Sequence, residues 1–112
     1  MLELSQYTAV LMDMDGVIYR GNDPLPGVNE LLALLRSRGV AYACVTNNST
    51  LTPQQYEDKL ARMGIAIPAA QIITSSVATR RYLEGLLPRG TPAYYVGMDG
   101  LREALLGDGY FV

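Results

Sequence analysis

The sequence predicts an α/β fold built on a parallel, doubly wound sheet. Two observations carry this reading. Short apolar runs end repeatedly in acidic, hydroxyl or amide residues, and between them apolar residues recur at helical spacing. Strands that alternate with amphipathic helices form βαβ units, and the strands of such units run parallel. No internal repeat, low-complexity tract or flexible linker interrupts the pattern.

The first apolar run, Ala9-Val10-Leu11-Met12, reads as a buried strand that stops at Asp13. A loop rich in turn formers follows, Gly21-Asn22-Asp23-Pro24 and then Pro26-Gly27. Val28, Leu31, Leu32 and Leu35 share one helical face, and Gly39 supplies the stop. Val40 to Val45 is the second strand, ending at Thr46-Asn47-Asn48-Ser49. Thr52-Pro53-Gln54-Gln55 has the form of a helix start, with Thr at the N-cap, Pro in the first turn and Gln at the capping-box position. That helix puts Tyr56, Leu60 and Met63 on one face and ends at Gly64. Ile72-Ile73-Thr74 is a third short strand, followed by a helix over Ser76 to Leu87. Ala93 to Val96 is expected as a further strand, Leu101 to Leu106 as a helix, and Tyr110 as the start of a last strand. The chain halts within that strand, as is expected of a piece of a longer protein.

Composition narrows the classes of function. Of the 112 residues, 49% are hydrophobic and 18% charged, the balance of a globular domain. The net charge of −2, with no basic stripe, argues against nucleic acid as a partner. No apolar run reaches the length of a membrane span, and Met1 to Gln6 has no signal-peptide pattern. Cys44 is the only cysteine and sits in an apolar strand, so it reads as an inert core thiol in a reducing, cytoplasmic compartment. Histidine is absent, which excludes Ser-His and Cys-His nucleophiles and His-ligated metal sites within one chain.

In an open parallel sheet ligands bind beyond the carboxyl ends of the strands. Asp13 and Thr46 stand at two such ends. Asp13 and Asp15 are two residues apart, so in extended backbone both side chains project the same way. One carboxylate can then attack while the other moves a proton. Thr46-Asn47-Asn48 offers a hydroxyl and two amides suited to phosphate oxygens. Asp15-Gly16 alone would read as a turn and Thr46-Asn47 as a polar loop; together they are more specific.

Val10-Leu11-Met12-Asp13-Met14-Asp15-Gly16-Val17-Ile18-Tyr19 resembles the nucleophile motif of the haloacid dehalogenase-like (HAD) superfamily. Val45-Thr46-Asn47-Asn48-Ser49 resembles its second motif, in the version of the nitrophenylphosphatase-like branch. Gly21 to Gly27, Ile72 to Ser76 and Tyr95 to Leu101 also resemble that branch, so the likeness covers nearly the whole chain. The resemblance implies an incomplete Rossmann-like HAD core over residues 1–85 and the beginning of an α/β cap over 86–112. It implies a Mg²⁺-dependent phosphatase acting on a small phosphorylated metabolite through an aspartyl-phosphate intermediate. Asp13 would be the nucleophile and Asp15 the acid and base, with both binding the metal, Asp15 through its carbonyl. Gly16, Thr46 and Asn47 would hold the phosphate.

Two parts of the family's site have no match. Lys59, the only lysine, falls in the helix after the second motif and reads as a solvated surface charge. Gly107-Asp108-Gly109 follows a helix and reads as a C-cap and turn rather than the later acidic motif. Gly97-Met98-Asp99-Gly100 is too short a glycine pattern for nucleotide binding. Little activity is therefore expected of the chain alone. The edge of Ala9 to Met12 is expected to be exposed, inviting homo-oligomers or strand exchange. Two other classes stand beside this reading. A noncatalytic phosphate- or metal-binding module of the same fold would bind without turnover. A receiver-type phosphoacceptor domain would carry its Asp on a middle strand and a Lys at a later strand end, and neither is present.

Overall fold

The computed structural model describes residues 6–112. The N-terminal stretch in which no signal peptide is read lies almost wholly outside them. Strand β1 (Ala9–Asp13) is followed by β2 (Tyr19–Arg20) and β3 (Asp23–Pro24), then helix α1 (Val28–Ser37), β4 (Ala41–Thr46) and α2 (Pro53–Arg62). After a 3₁₀ turn at Ala69–Gln71 come β5 (Ile72–Thr74), α3 (Ser75–Glu84) and α4 (Asp99–Leu106). Strands β1, β4 and β5 form one parallel sheet in that order, with Asp13 opposite Val45 and Thr46 opposite Thr74. The fold is thus the expected Rossmann-like α/β core in incomplete form.

Strand order explains the layers. The chain steps in one direction, from β1 to β4 to β5, and right-handed crossovers then put α1 and α2 on the same face. Met12 and Met14, Tyr42 and Cys44, and Ile72 point into that face. There they meet Leu32 and Leu35 of α1 and Tyr56 and Leu60 of α2. Burial pushes the Cys44 thiol up to about 11, as suits a core position. The opposite face is open: Leu11 is 70% exposed, and Ala43, Val45 and Ile73 are half-buried.

The start of α2 has the expected form. Gln55 N–H donates to Thr52 Oγ1 at 3.0 Å, and Thr52 N–H donates to Gln55 Oε1 at 2.9 Å, which satisfies donors the helix end leaves over. Helix α1 ends just before Gly39, whose φ of +65° is open to a residue without a Cβ.

Four elements differ from expectation, one of them the last strand expected from Tyr110, which makes only isolated backbone bonds. The turn-rich loop contains a short antiparallel hairpin, Tyr19–Arg20 against Asp23–Pro24, with two residues on each side. Its strands are too short to show any alternation in sequence. Helix α3 stops at Glu84, before Leu87. The strand expected at Ala93 to Val96 does not form as a ladder, and Tyr94 is 94% exposed. Backbone pairing occurs earlier instead: Gly90 N–H donates to the Tyr110 carbonyl at 2.7 Å, Ala93 N–H to the Val112 carbonyl at 2.7 Å, and Val112 N–H to the Thr91 carbonyl at 3.1 Å. A pair this short, with no third strand among the described residues, leaves Tyr94 and Val96 without a surface to pack on.

This C-terminal segment is fastened to α3 by Arg80. Its guanidinium donates to both Asp108 carboxylate oxygens at 2.9 and 2.8 Å, to the Ala104 carbonyl at 2.9 Å and to Glu84 at 3.0 Å, and lies 4.7 Å from the Tyr110 ring centre. Asp108 sits in the expected turn after α4 and also accepts from Tyr110 N–H. The Arg80 guanidinium holds the Asp108 carboxyl down at about 2, against an ordinary value of 3.8. A carboxyl depressed by folding stabilises above its unfolded value and loses that contribution as pH falls through its folded value. The wild-type chain should therefore be more stable than Asp108→Asn in urea melts near neutral pH. That advantage should shrink between about pH 4 and about pH 2, and a constant advantage would show that the pair does not couple to folding.

Candidate active site

The site forms where β1 and β4 end side by side. Along β1 and into the next turn, Met12 and Met14 are buried while Asp13 and Asp15 are exposed, so the two carboxylates share the side away from the core, as their spacing requires. The turn itself is a tight coil. Ile18 N–H donates to the Met14 carbonyl at 2.8 Å and Gly16 N–H to the Tyr19 carbonyl at 2.8 Å, while Met14 N–H donates to Asp13 Oδ1 at 2.8 Å. Gly16 makes this turn possible with φ of +82°.

On β4, Thr46 lies one residue beyond the partner of Asp13. Its hydroxyl accepts from Asn48 N–H at 3.1 Å, and Asn48 Oδ1 in turn accepts from the N–H and hydroxyl of Thr50 at 3.0 and 2.7 Å. Ser75 Oγ donates to the Asn47 carbonyl at 3.2 Å and Ser76 Oγ to the Ser49 carbonyl at 3.4 Å, so the start of α3 braces the loop. Gly100 braces it from the other side. Its N–H donates to the Thr50 carbonyl at 3.0 Å, and a Cβ there would come within 2.5 Å of the Leu51 carbonyl oxygen. The glycine pattern around Gly100 thus marks a close packing contact.

Two hollows meet at this point. One, of about 530 Å³, is lined by Asp13, Asp15, Tyr19, Gly21, Thr46, Asn47, Asn48, Tyr56 and Lys59. The other, of about 400 Å³, lies over the open face of the sheet and shares Asp13, Thr46 and Asn47 with the first. Four of the five residues singled out from sequence, Asp13, Asp15, Thr46 and Asn47, therefore line one cavity. Gly16 does not line it; it shapes the turn that presents Asp15.

Three lining side chains are not marked by the sequence pattern. Tyr19 belongs to the hairpin and is buried. Burial, then Tyr56 and the carboxylates of Asp15 and Asp13, raise its phenol above the ordinary value. Tyr56 was assigned to the core face of α2, and it is buried, but its ring also reaches the cavity wall. Lys59 is not the solvated charge its helix position suggests. It is half-buried, with Nζ 4.5 Å from the Tyr19 ring centre. The spacing of Tyr56 and Lys59, one helical turn apart, was the available signal.

The donor set suits a hard cation. Asp13 and Asp15 present oxygen ligands only, and Mg²⁺ commonly takes one or two carboxylates and keeps several waters. Among the described residues no group of three His, Cys, Asp or Glu gathers to complete a cage.

The profile of the haloacid dehalogenase-like hydrolases matches residues 10–111. The chain belongs to that family. It is 37% identical over 109 residues to an acid sugar phosphatase of Staphylococcus aureus, a match covering 97% of this chain and 42% of the relative. Among solved structures, a hypothetical protein from Pyrococcus horikoshii superposes with a TM-score of 0.85 at 44% identity, covering 93% of this chain and 40% of that one. The 4-nitrophenylphosphatase of Thermotoga maritima does so with a TM-score of 0.83 at 29% identity, covering 96% and 40%. The chain thus spans about two-fifths of the length of these HAD relatives.

Replacing Gly16 by Ala should cost about 1–2 kcal/mol, because an L side chain is strained in the left-handed region. No atom within 4 Å would clash with the added methyl, so strain is the whole effect. Chemical denaturation of the two proteins would measure it, and equal stability would show that the turn relaxes freely.

Proposed function

We propose that this chain carries the nucleophile and phosphate-binding part of a Mg²⁺-dependent phosphate monoester hydrolase that works through an aspartyl-phosphate. The observation behind this reading is the meeting of Asp13, Asp15, Thr46 and Asn47 in one cavity at the ends of adjacent parallel strands. The phosphatase names of the relatives support the same chemistry.

In this mechanism an Asp13 carboxylate oxygen attacks phosphorus, and the bond from phosphorus to the ester oxygen breaks. Asp15 gives its proton to the departing alkoxide. Asp15, now a carboxylate, takes a proton from water as that water attacks phosphorus. The acyl-phosphate bond breaks, which releases phosphate and restores Asp13. The Thr46 hydroxyl and the Asn47 N–H donate to phosphoryl oxygens as charge shifts onto them. The Asp13 carboxylate and the Asp15 carbonyl would hold Mg²⁺, whose positive charge offsets that of the transferring group. The substrate is a small phosphorylated metabolite, with sugar phosphates favoured by the staphylococcal relative. Residues 1–85 are assigned to the core and 86–112 to the start of a cap, a boundary that falls just after α3. No described helix is long and apolar enough to cross a membrane. The buried, unreactive Cys44 suits a cytoplasmic setting.

Mg²⁺-dependent hydrolysis of an aryl phosphate by the chain should be weak, and Asp13→Asn should abolish it. Turnover that survives the substitution would overturn the assignment of the nucleophile. Mg²⁺-dependent phosphate binding without turnover would favour a binding module.

The outer edge of β1 supports a second proposal, that two copies associate through it. β1 is an edge strand in the sheet, and Leu11 beside it is 70% exposed. Light scattering should show a mass that rises with concentration. A strictly monomeric mass over a wide range would refute it.

A further inference from the structure

The nine residues of the main cavity include two carboxylates and a single cation, Lys59. A phosphate monoester entering that cavity brings further negative charge against Asp13 and Asp15. A bound Mg²⁺ would offset part of it on the β1 side, and a cation on the opposing wall is placed to offset more. Lys59 stands on α2, reaches back over the Tyr19 ring with Nζ at 4.5 Å, and makes no ion pair with either aspartate among the described residues. Its charge is thus held in place by an aromatic face. Among the described residues no carboxylate forms an ion pair with it.

A second observation points the same way. Tyr56, one turn before Lys59 on the same helix, is only 1% exposed, and among the described residues its hydroxyl has the Thr46 hydroxyl nearby but makes no well-formed hydrogen bond. A buried donor left without an acceptor is costly. Among the described residues, the α2 wall of the cavity therefore carries an ammonium without an ion pair beside a poorly satisfied hydroxyl, while the β1 wall carries carboxylates. An anion is the ligand that satisfies the α2 wall.

Resting on the phosphatase reading above, we propose that Lys59 is a substrate-binding residue of this site, contacting an oxygen of the phosphoryl group from the α2 side, with the Tyr19 ring positioning its ammonium. The residue is then part of the phosphate cradle formed by Thr46 and Asn47. The α2 capping box, which begins at Thr52, sets its position along the helix.

The test is calorimetric binding of inorganic phosphate to the chain in Mg²⁺ buffer, for wild type, Lys59→Met, Lys59→Arg, Tyr19→Leu and Thr46→Val. Lys59→Met keeps most of the stem and removes the charge. It should weaken phosphate by about tenfold or more, the scale of one lost charge-assisted hydrogen bond, and flatten the salt dependence of binding. Lys59→Arg should restore much of both. Thermal midpoints of the Lys59 variants should stay near wild type. If the lysine merely clamps the hairpin, Tyr19→Leu would match the loss in Lys59→Met while the salt dependence survived in Lys59→Met, and the proposal would fall. It would also fall if Thr46→Val weakened phosphate and Lys59→Met did not, or if wild type bound no phosphate. The phosphatase reading is decided separately, by whether hydrolysis depends on Asp13.

Discussion

The parallel pairing of β1 with β4 is the constraint on which the site depends. Its register puts Asp13 opposite Val45 and leaves Thr46 one residue further along, so a carboxylate and a hydroxyl end up at neighbouring strand ends. The register is fixed from the core side. Met12 and Met14 on one strand and Tyr42 and Cys44 on the other are buried under α1 and α2. A slip of one residue would turn those side chains outward and the aspartates inward. The burial of four apolar residues thus determines where two acidic ones point. The loops beyond the strand ends are then held by polar contacts: Asn48 ties its own turn, Ser75 and Ser76 reach in from α3, and Gly100 lets α4 approach the loop closely.

That arrangement produces a cavity of mixed polarity. The β1 side supplies acceptors suited to a hard cation, and the α2 side supplies Lys59 and Tyr56. Tyr19 sits between them, its phenol raised in part by the two aspartates and its ring beneath the ammonium. The hairpin that carries Tyr19 has only two residues on each side, so it has little stability of its own. Packing of Tyr19 against the core holds it in place. Site formation and hairpin order are therefore linked through one aromatic side chain.

Much of this was legible in the sequence, for identifiable reasons. Strand ends were marked by abrupt changes from apolar to polar residues at Met12-Asp13 and Val45-Thr46, and the start of α2 by the spacing of Thr52, Pro53 and Gln55. These are local signals. What escaped depended on contacts distant in sequence. Lys59 between Asp58 and Leu60 has the setting of a surface charge, and only the arrival of Tyr19 from forty residues earlier gives it another role. Ala93 to Val96 has the composition of a strand, but a strand needs partners on its edges and faces. Among the described residues it has too few, so the hydrogen bonds shift toward Gly90 and Tyr94 is left exposed. Gly16, which the resemblance places at the phosphate, shapes the turn here, and its amide is given to Tyr19.

The open face of the sheet bears on how the site would work. Parallel sheets are ordinarily covered on both faces. Here α1 and α2 cover one, because three strands laid down in a single direction send both right-handed crossovers to the same side. Leu11, Ala43, Val45 and Ile73 occupy the uncovered side, and Asp13 projects to that side as well. The second hollow, lined by Val45, Ile73 and Ala78 with Asp13 at its end, is the part of that face nearest Asp13. Covering it would bury apolar surface and remove water from around Asp13 in a single step. Exclusion of water strengthens each electrostatic contact made there. The same covering would stabilise the sheet and strengthen the electrostatic contacts of Asp13, so folding energy and local electrostatics both favour closing this face.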